Sequence, residues 1–113
     1  MANNNTYQVT GQSRTLKRFA DVYDTIDAIK RIVAVQHKAV ELLSKHMIAD
    51  NDAHTFENIW EYVRHNIKYQ KDDKGVEQLR TPQRTFHDKT GDCDDFSILI
   101  SSILTNLNIN HEL

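Results

Sequence analysis

Glycine and proline are scarce in this chain, at three and one in 113 residues. An all-β sandwich or barrel needs many turns, so this scarcity argues against one. Cysteine occurs once, at position 93. No internal disulfide can form, and a reducing, cytoplasmic setting fits best. No apolar run approaches the length that spans a bilayer, and Met1-Ala2-Asn3-Asn4-Asn5 does not read as a signal peptide. A strong charge of either sign is also missing. The formal net charge is −2, so bulk electrostatics do not favour a nucleic-acid partner.

What remains is an ordinary composition, 39% hydrophobic and 27% charged, enough for one domain with one core. Residues 1–13 read as a flexible polar tail, with a short extended piece at Tyr7-Gln8-Val9-Thr10. Residues 14–113 read as a single helical domain, with N-terminal helices over 14–50 and the remainder over 52–113. Arg14 to Tyr23 is compatible with either a helical turn or an extended arm. Asp24 or Thr25 then caps a long helical pattern with Ile26, Ile29, Val33 and Val40 near one face, widened by Ile32, Ala39 and Leu43. A break is expected near Ala34 to His37. Lys30, Arg31, Lys38 and Lys45 fall on the solvated face. The pattern stops at Asp50-Asn51-Asp52.

A second helix starts near Asp52 or Thr55, with Phe56, Ile59, Trp60, Val63 and Ile67 on its period and Trp60 as a core anchor. Tyr69 belongs to a short extended stretch, and Lys71-Asp72-Asp73-Lys74-Gly75 to a turn. Lys68, Lys71, Lys74, Arg80 and Arg84 interleave with acidic residues and read as solvated surface. Thr81-Pro82 predicts a short helix through Phe86, with Thr as cap and Pro at the first helical position.

The stretch around which the rest is organised is Lys89-Thr90-Gly91-Asp92-Cys93-Asp94-Asp95-Phe96-Ser97. A glycine turn followed by Asp92 predicts an N-cap, with Asp92 accepting from the backbone N–H of Asp95 or its neighbour. Cys93 is then the first residue of a helix with Phe96, Leu99, Ile100, Ile103, Leu104 and Leu107 apolar nearly all round, a central helix. The positive end of the helix dipole stabilises a thiolate, so Cys93 is a candidate nucleophile. Asp92, Asp94 and Asp95 oppose that effect, and they also suit the first turn on capping grounds alone. The helix should end over Asn106 to Asn110, and Ile109-Asn110-His111-Glu112-Leu113 alternates like a strand beginning.

Six histidines invite a metal reading. His37 and His46 do not share a helical face, and His54 and His65 lie on another helix. None forms an i, i+4 pair, so no structural zinc site is expected. Asp92-Cys93-Asp94-Asp95 lacks the alternate spacing and closing Glu of a calcium loop.

Taken together, Trp60-Glu61-Tyr62-Val63-Arg64-His65-Asn66-Ile67-Lys68-Tyr69, Gly75-Val76-Glu77, Thr81-Pro82, Gly91-Asp92-Cys93-Asp94-Asp95, the apolar helix and Leu107-Asn108-Ile109 resemble the transglutaminase-like superfamily. That superfamily is related in fold to papain-like cysteine proteases. A glycine usually stands where this chain has Asn108. Small members with a Gly-Val-Glu stretch look bacterial or prophage-encoded. The resemblance implies a mainly α chain, the helical N-terminal part of an α+β fold whose sheet is largely absent here. It implies that Cys93 is the nucleophile of a Cys-His-Asp triad, forming a thioester from a protein or peptide amide and passing the acyl group to an amine or to water. Asp95 would tie the loop to the helix start. The family's His and Asp lie on strands after the cysteine helix. His111 is too early and His87 lies upstream, so only Cys93 is carried over. No cofactor and no metal are implied.

The expectation is thus a truncated or partial enzyme, inactive as this fragment. The alternative is a non-catalytic helical interaction or assembly protein that keeps the motif for its capping value. Either way an apolar face of the central helix needs a cover, so self-association or a protein partner is expected.

Overall fold

The computed structural model of the chain describes residues 14–71 and 79–113. The readings of residues 1–13, of Asp72 to Gly75 and of Gly75-Val76-Glu77 lie outside the described residues. Helix α1 spans Arg14–Gln36 without interruption. The expected cap at Asp24 or Thr25 is therefore incorrect: both residues sit inside the helix. Asp and Thr cost only a fraction of a kcal/mol in a helix interior, roughly 0.7 or less against Ala, so a capping residue type does not by itself start a helix. The expected break does occur. A 3₁₀ turn over His37–Val40 separates α1 from the short α2, Glu41–Lys45.

Helix α3 spans Asp52–Asn66, with the Asn51 side chain accepting from the His54 N–H. Strand β1, Lys68–Tyr69, follows it directly. Helix α4, Pro82–Asp88, starts as its sequence dictates: the Thr81 side chain accepts from the Arg84 N–H and proline holds the first turn. It ends at Lys89, which adopts a left-handed φ of 61°. Strand β2, Thr90–Gly91, pairs in parallel with β1, Lys68 opposite Thr90 and Tyr69 opposite Gly91. Helix α5, Cys93–Asn106, comes last. It ends where Asn108 takes a φ of 59°. Asn tolerates that region better than any residue except glycine, which is why it can stand where a glycine is usual.

The protein is mainly helical. Helix α5 is its axis: α1, α2, α3, α4 and the 3₁₀ turn all pack on it. Ile59 and Val63 of α3, and Ile67 just after it, share one cluster with Leu99, Ile103 and Leu104 of α5 and with Val40 and Met47. On the other side Ile98 of α5 meets Ile29 and Val33 of α1. Each fully buried aliphatic side chain of this kind contributes about 1.5–3 kcal/mol. Asn106 ties the end of α5 to the 3₁₀ turn. It accepts from His37 Nδ1 at 2.7 Å and donates to the His37 carbonyl at 2.7 Å and Ser44 Oγ at 3.0 Å.

Two apolar expectations are corrected. Trp60 is no core anchor: it is 47% exposed, and Phe56, one turn before it, is 49% exposed. The buried stripe is Ile59, Val63 and Ile67, and the apolar arc of α3 is wider than the surface α5 offers it. Ala39 is exposed as well. Residues 109–113 form no strand, and the two described strands, β1 and β2, pair with each other. Among the described residues no helix is long and apolar enough to cross a membrane.

Candidate nucleophile site at the start of helix α5

Parallel pairing of β1 and β2 sets the approach to α5. Lys68 N–H donates to the Lys89 carbonyl and Gln70 N–H to the Gly91 carbonyl, both at 2.8 Å. Gly91 is buried, and a Cβ there would lie 2.8 Å from Asp95 Cβ. Only a residue without a side chain lets the strand pass that close to the first turn of the helix.

Asp92 and Asp95 then form a reciprocal capping box. Asp95 N–H donates to Asp92 Oδ1 at 3.0 Å, and Asp92 N–H donates to Asp95 Oδ2 at 3.1 Å. The cap fixes Cys93 as the first residue of α5, with its side chain exposed. The thiol is thus open to solvent at the N-terminal end of α5.

Arg80 is the residue that sequence reasoning missed. It was expected on the solvated surface, yet its side chain is only 16% exposed. Its backbone N–H donates to Asp95 Oδ1 at 3.0 Å. Nη1 donates to the Thr90 carbonyl at 3.1 Å and to Thr90 Oγ1 at 3.3 Å. Nε lies 3.9 Å from Asp95 Oδ2, an ion-pair distance, and makes no hydrogen bond. Asp95 is wholly buried. A buried carboxylate demands such partners. That burial requirement was the available signal: an Asp at the third position of an apolar helix needs a cation, and Arg80 stands just before the Thr81-Pro82 helix start.

Every histidine ring has a hydrogen-bond partner other than Cys93. Nδ1 of His37 meets Asn106, that of His46 the Leu42 carbonyl, and that of His54 Asp50. Nδ1 of His65 meets the Glu61 carbonyl, that of His87 Asp88, and that of His111 the Ile109 carbonyl. Since a carbonyl only accepts, His111 Nδ1 carries the proton, and its Nε2 takes a hydrogen bond from Ser101 Oγ at 2.6 Å. Ser101 lies eight residues down α5 from Cys93, about 12 Å along the axis. His111 also lines the same cleft as Asp94 and Ser97 of the first turns of α5.

Beside α5, a cleft of about 400 Å³ is lined by Ile26 and Ile29 of α1, Phe56 of α3, and Asp94, Ser97 and Ile100 of α5 among others. It leaves part of the central helix uncovered next to the turn that bears Cys93.

A family model described as a transglutaminase-like domain matches residues 38–113. The match begins at the 3₁₀ turn, well before Trp60, so α2 and α3 fall inside it and α1 outside. No curated protein and no solved structure matches the chain. With two thirds of its length matched, and with the capped cysteine helix inside that match, the chain belongs to the transglutaminase-like family.

Proposed function

We propose that Cys93 is the nucleophile of an acyl-transfer or amide-cleaving reaction on a protein or peptide amide. The observation that carries this reading is the capped N-terminus of α5, which presents an exposed thiol at the positive end of the central helix. Membership of the family supports the same chemistry.

In this reading the Cys93 sulfur attacks the amide carbonyl carbon as a thiolate. The C–N bond breaks, the amine leaves with a proton, and a thioester remains on Sγ. An amine or water then attacks the thioester and releases the thiolate. Asp95 N–H is occupied by Asp92, and the other backbone N–H groups around Cys93 are the natural donors to the oxyanion. A general acid must supply the proton of the leaving amine, and each histidine ring is hydrogen-bonded to a group other than Cys93.

That division defines the test. An activated ester needs no proton for its leaving group, so it acylates a prepared thiolate without a general acid. The chain is incubated with a p-nitrophenyl acyl ester and its intact mass is followed. One acyl group, labile to hydroxylamine and located on Cys93, is expected, and Cys93→Ala should remove it. Acylation that survives in Cys93→Ala, or that maps to another residue, contradicts the reading.

A further inference from the structure

We propose that Arg80 is a positioning residue for Cys93, acting through Asp95 and Thr90; this deepens, and rests on, the reading of Cys93 as the nucleophile. Thr90 and Asp95 bracket the cysteine, three residues before it and two after. Arg80 holds both. Its backbone N–H fixes one oxygen of Asp95, whose other oxygen fixes the Asp92 N–H next to Cys93. Its guanidinium fixes the Thr90 carbonyl and hydroxyl on the opposite side of the cysteine. One residue therefore grips the loop and the helix start that together aim the sulfur.

The same arrangement answers an electrostatic problem. A carboxylate two residues from the thiol disfavours the thiolate, and Asp95 is buried where water does not screen it. The Arg80 guanidinium supplies the balancing charge from within the fold. The nearest cation in sequence does not, since Lys89 Nζ stands 3.9 Å from the Phe86 ring centroid and 3.3 Å from Tyr62 Oη, turned towards α3 and α4. The pair also holds the loop, since Asp95 takes the Asp92 and Arg80 N–H groups and Arg80 the Thr90 oxygens. A charged pair at this place has the further effect on the thiol.

The chain has one cysteine, so alkylation by iodoacetamide reports on Cys93 alone. Rates are measured at neutral pH for the parent chain, Arg80→Gln and Arg80→Lys, each checked for folding by circular dichroism. In Arg80→Gln the rate should fall about tenfold, the equivalent of one pH unit of thiolate availability. Arg80→Lys keeps the charge but loses the fork that spans Asp95 and Thr90, so its rate should fall by a smaller factor, about threefold. The rate of each variant in denaturant should equal that of the parent. Folded variants with the parent rate overturn the proposal, and if Arg80→Gln does not fold, Arg80→Lys decides alone. The two readings fail separately: unchanged alkylation removes Arg80 and leaves Cys93 as nucleophile, whereas ester acylation persisting in Cys93→Ala removes Cys93 and leaves its link to Arg80 measurable.

Discussion

Asp88 closes helix α4 in solvent, and its carboxyl is held below its ordinary value of 3.8. The hydrogen bond from the His87 ring is the largest cause; desolvation opposes it, and Arg84 acts with His87. The folded value lies below the unfolded one, so the interaction stabilises the fold above the unfolded value and is lost as pH falls through the folded one. His87→Ala should move the titration of Asp88 back up towards 3.8, followed through its side-chain carboxyl resonance. A midpoint that does not move contradicts the assigned cause. At this scale the sequence was legible where one residue type has one use. Asp92 before Cys93 reads as a cap and is one. Arg80 was not legible as a buried residue, because arginine on a surface and arginine clamping a carboxylate look the same in a polar stretch. The difference lies in how the fold buries Asp95, which no local pattern contains.

The elements near the cysteine depend on caps more than on length. Helix α4 has only seven residues, so the Thr81 cap, the proline and the packing of Thr85 hold it in place. Helix α5 has a full capping box. Asp92→Ala should cost about 1–2 kcal/mol in urea denaturation, with Asp92→Asn much closer to the parent. An Asp92→Ala chain as stable as the parent contradicts the role given to the box. The starts of α3 and α5 were legible because each pairs a capping residue with an apolar period, and that of α4 because Thr81 is followed by Pro82. The start of α1 was not, because Asp24 and Thr25 have the right chemistry in the middle of a helix that begins at Arg14. Trp60 was misread for a related reason. Periodicity places Phe56 and Trp60 beside the buried stripe of α3, but it does not say how wide a surface the neighbouring helix will cover. Residues 109–113 have the alternation of a strand, yet a strand also requires a partner.

Both apolar clusters share helix α5, which makes the cores either side of it parts of one structure. Ile98→Ala opens the side facing α1, and Ile103→Ala the side facing α3. Each should cost about 2–5 kcal/mol and lower one common unfolding transition. Circular dichroism, weighted to all helices, and the fluorescence of Trp60 on α3 should follow the same curve in both variants. Separate transitions would mean that α1 is stable or unstable independently of the family domain. The family was legible across the whole stretch from Trp60 to Ile109, and the match extends further back, to Lys38. The mainly α character was legible from the shortage of glycine and proline and from the helical periods. The general base was not: each of the six histidine rings is hydrogen-bonded to a group other than Cys93.

The central claim is that the N-terminus of α5 prepares Cys93 as a thiolate. The most direct test compares its alkylation rate in the folded chain and in denaturant at about pH 6, where an ordinary thiol, titrating near 8.5, is almost wholly protonated. A folded chain that reacts faster than the unfolded one is the result expected from the exposed sulfur, the helix dipole and the Arg80–Asp95 pair. A folded chain that reacts more slowly would mean that the carboxylates of the first turn dominate, and that the motif serves the helix and not the chemistry.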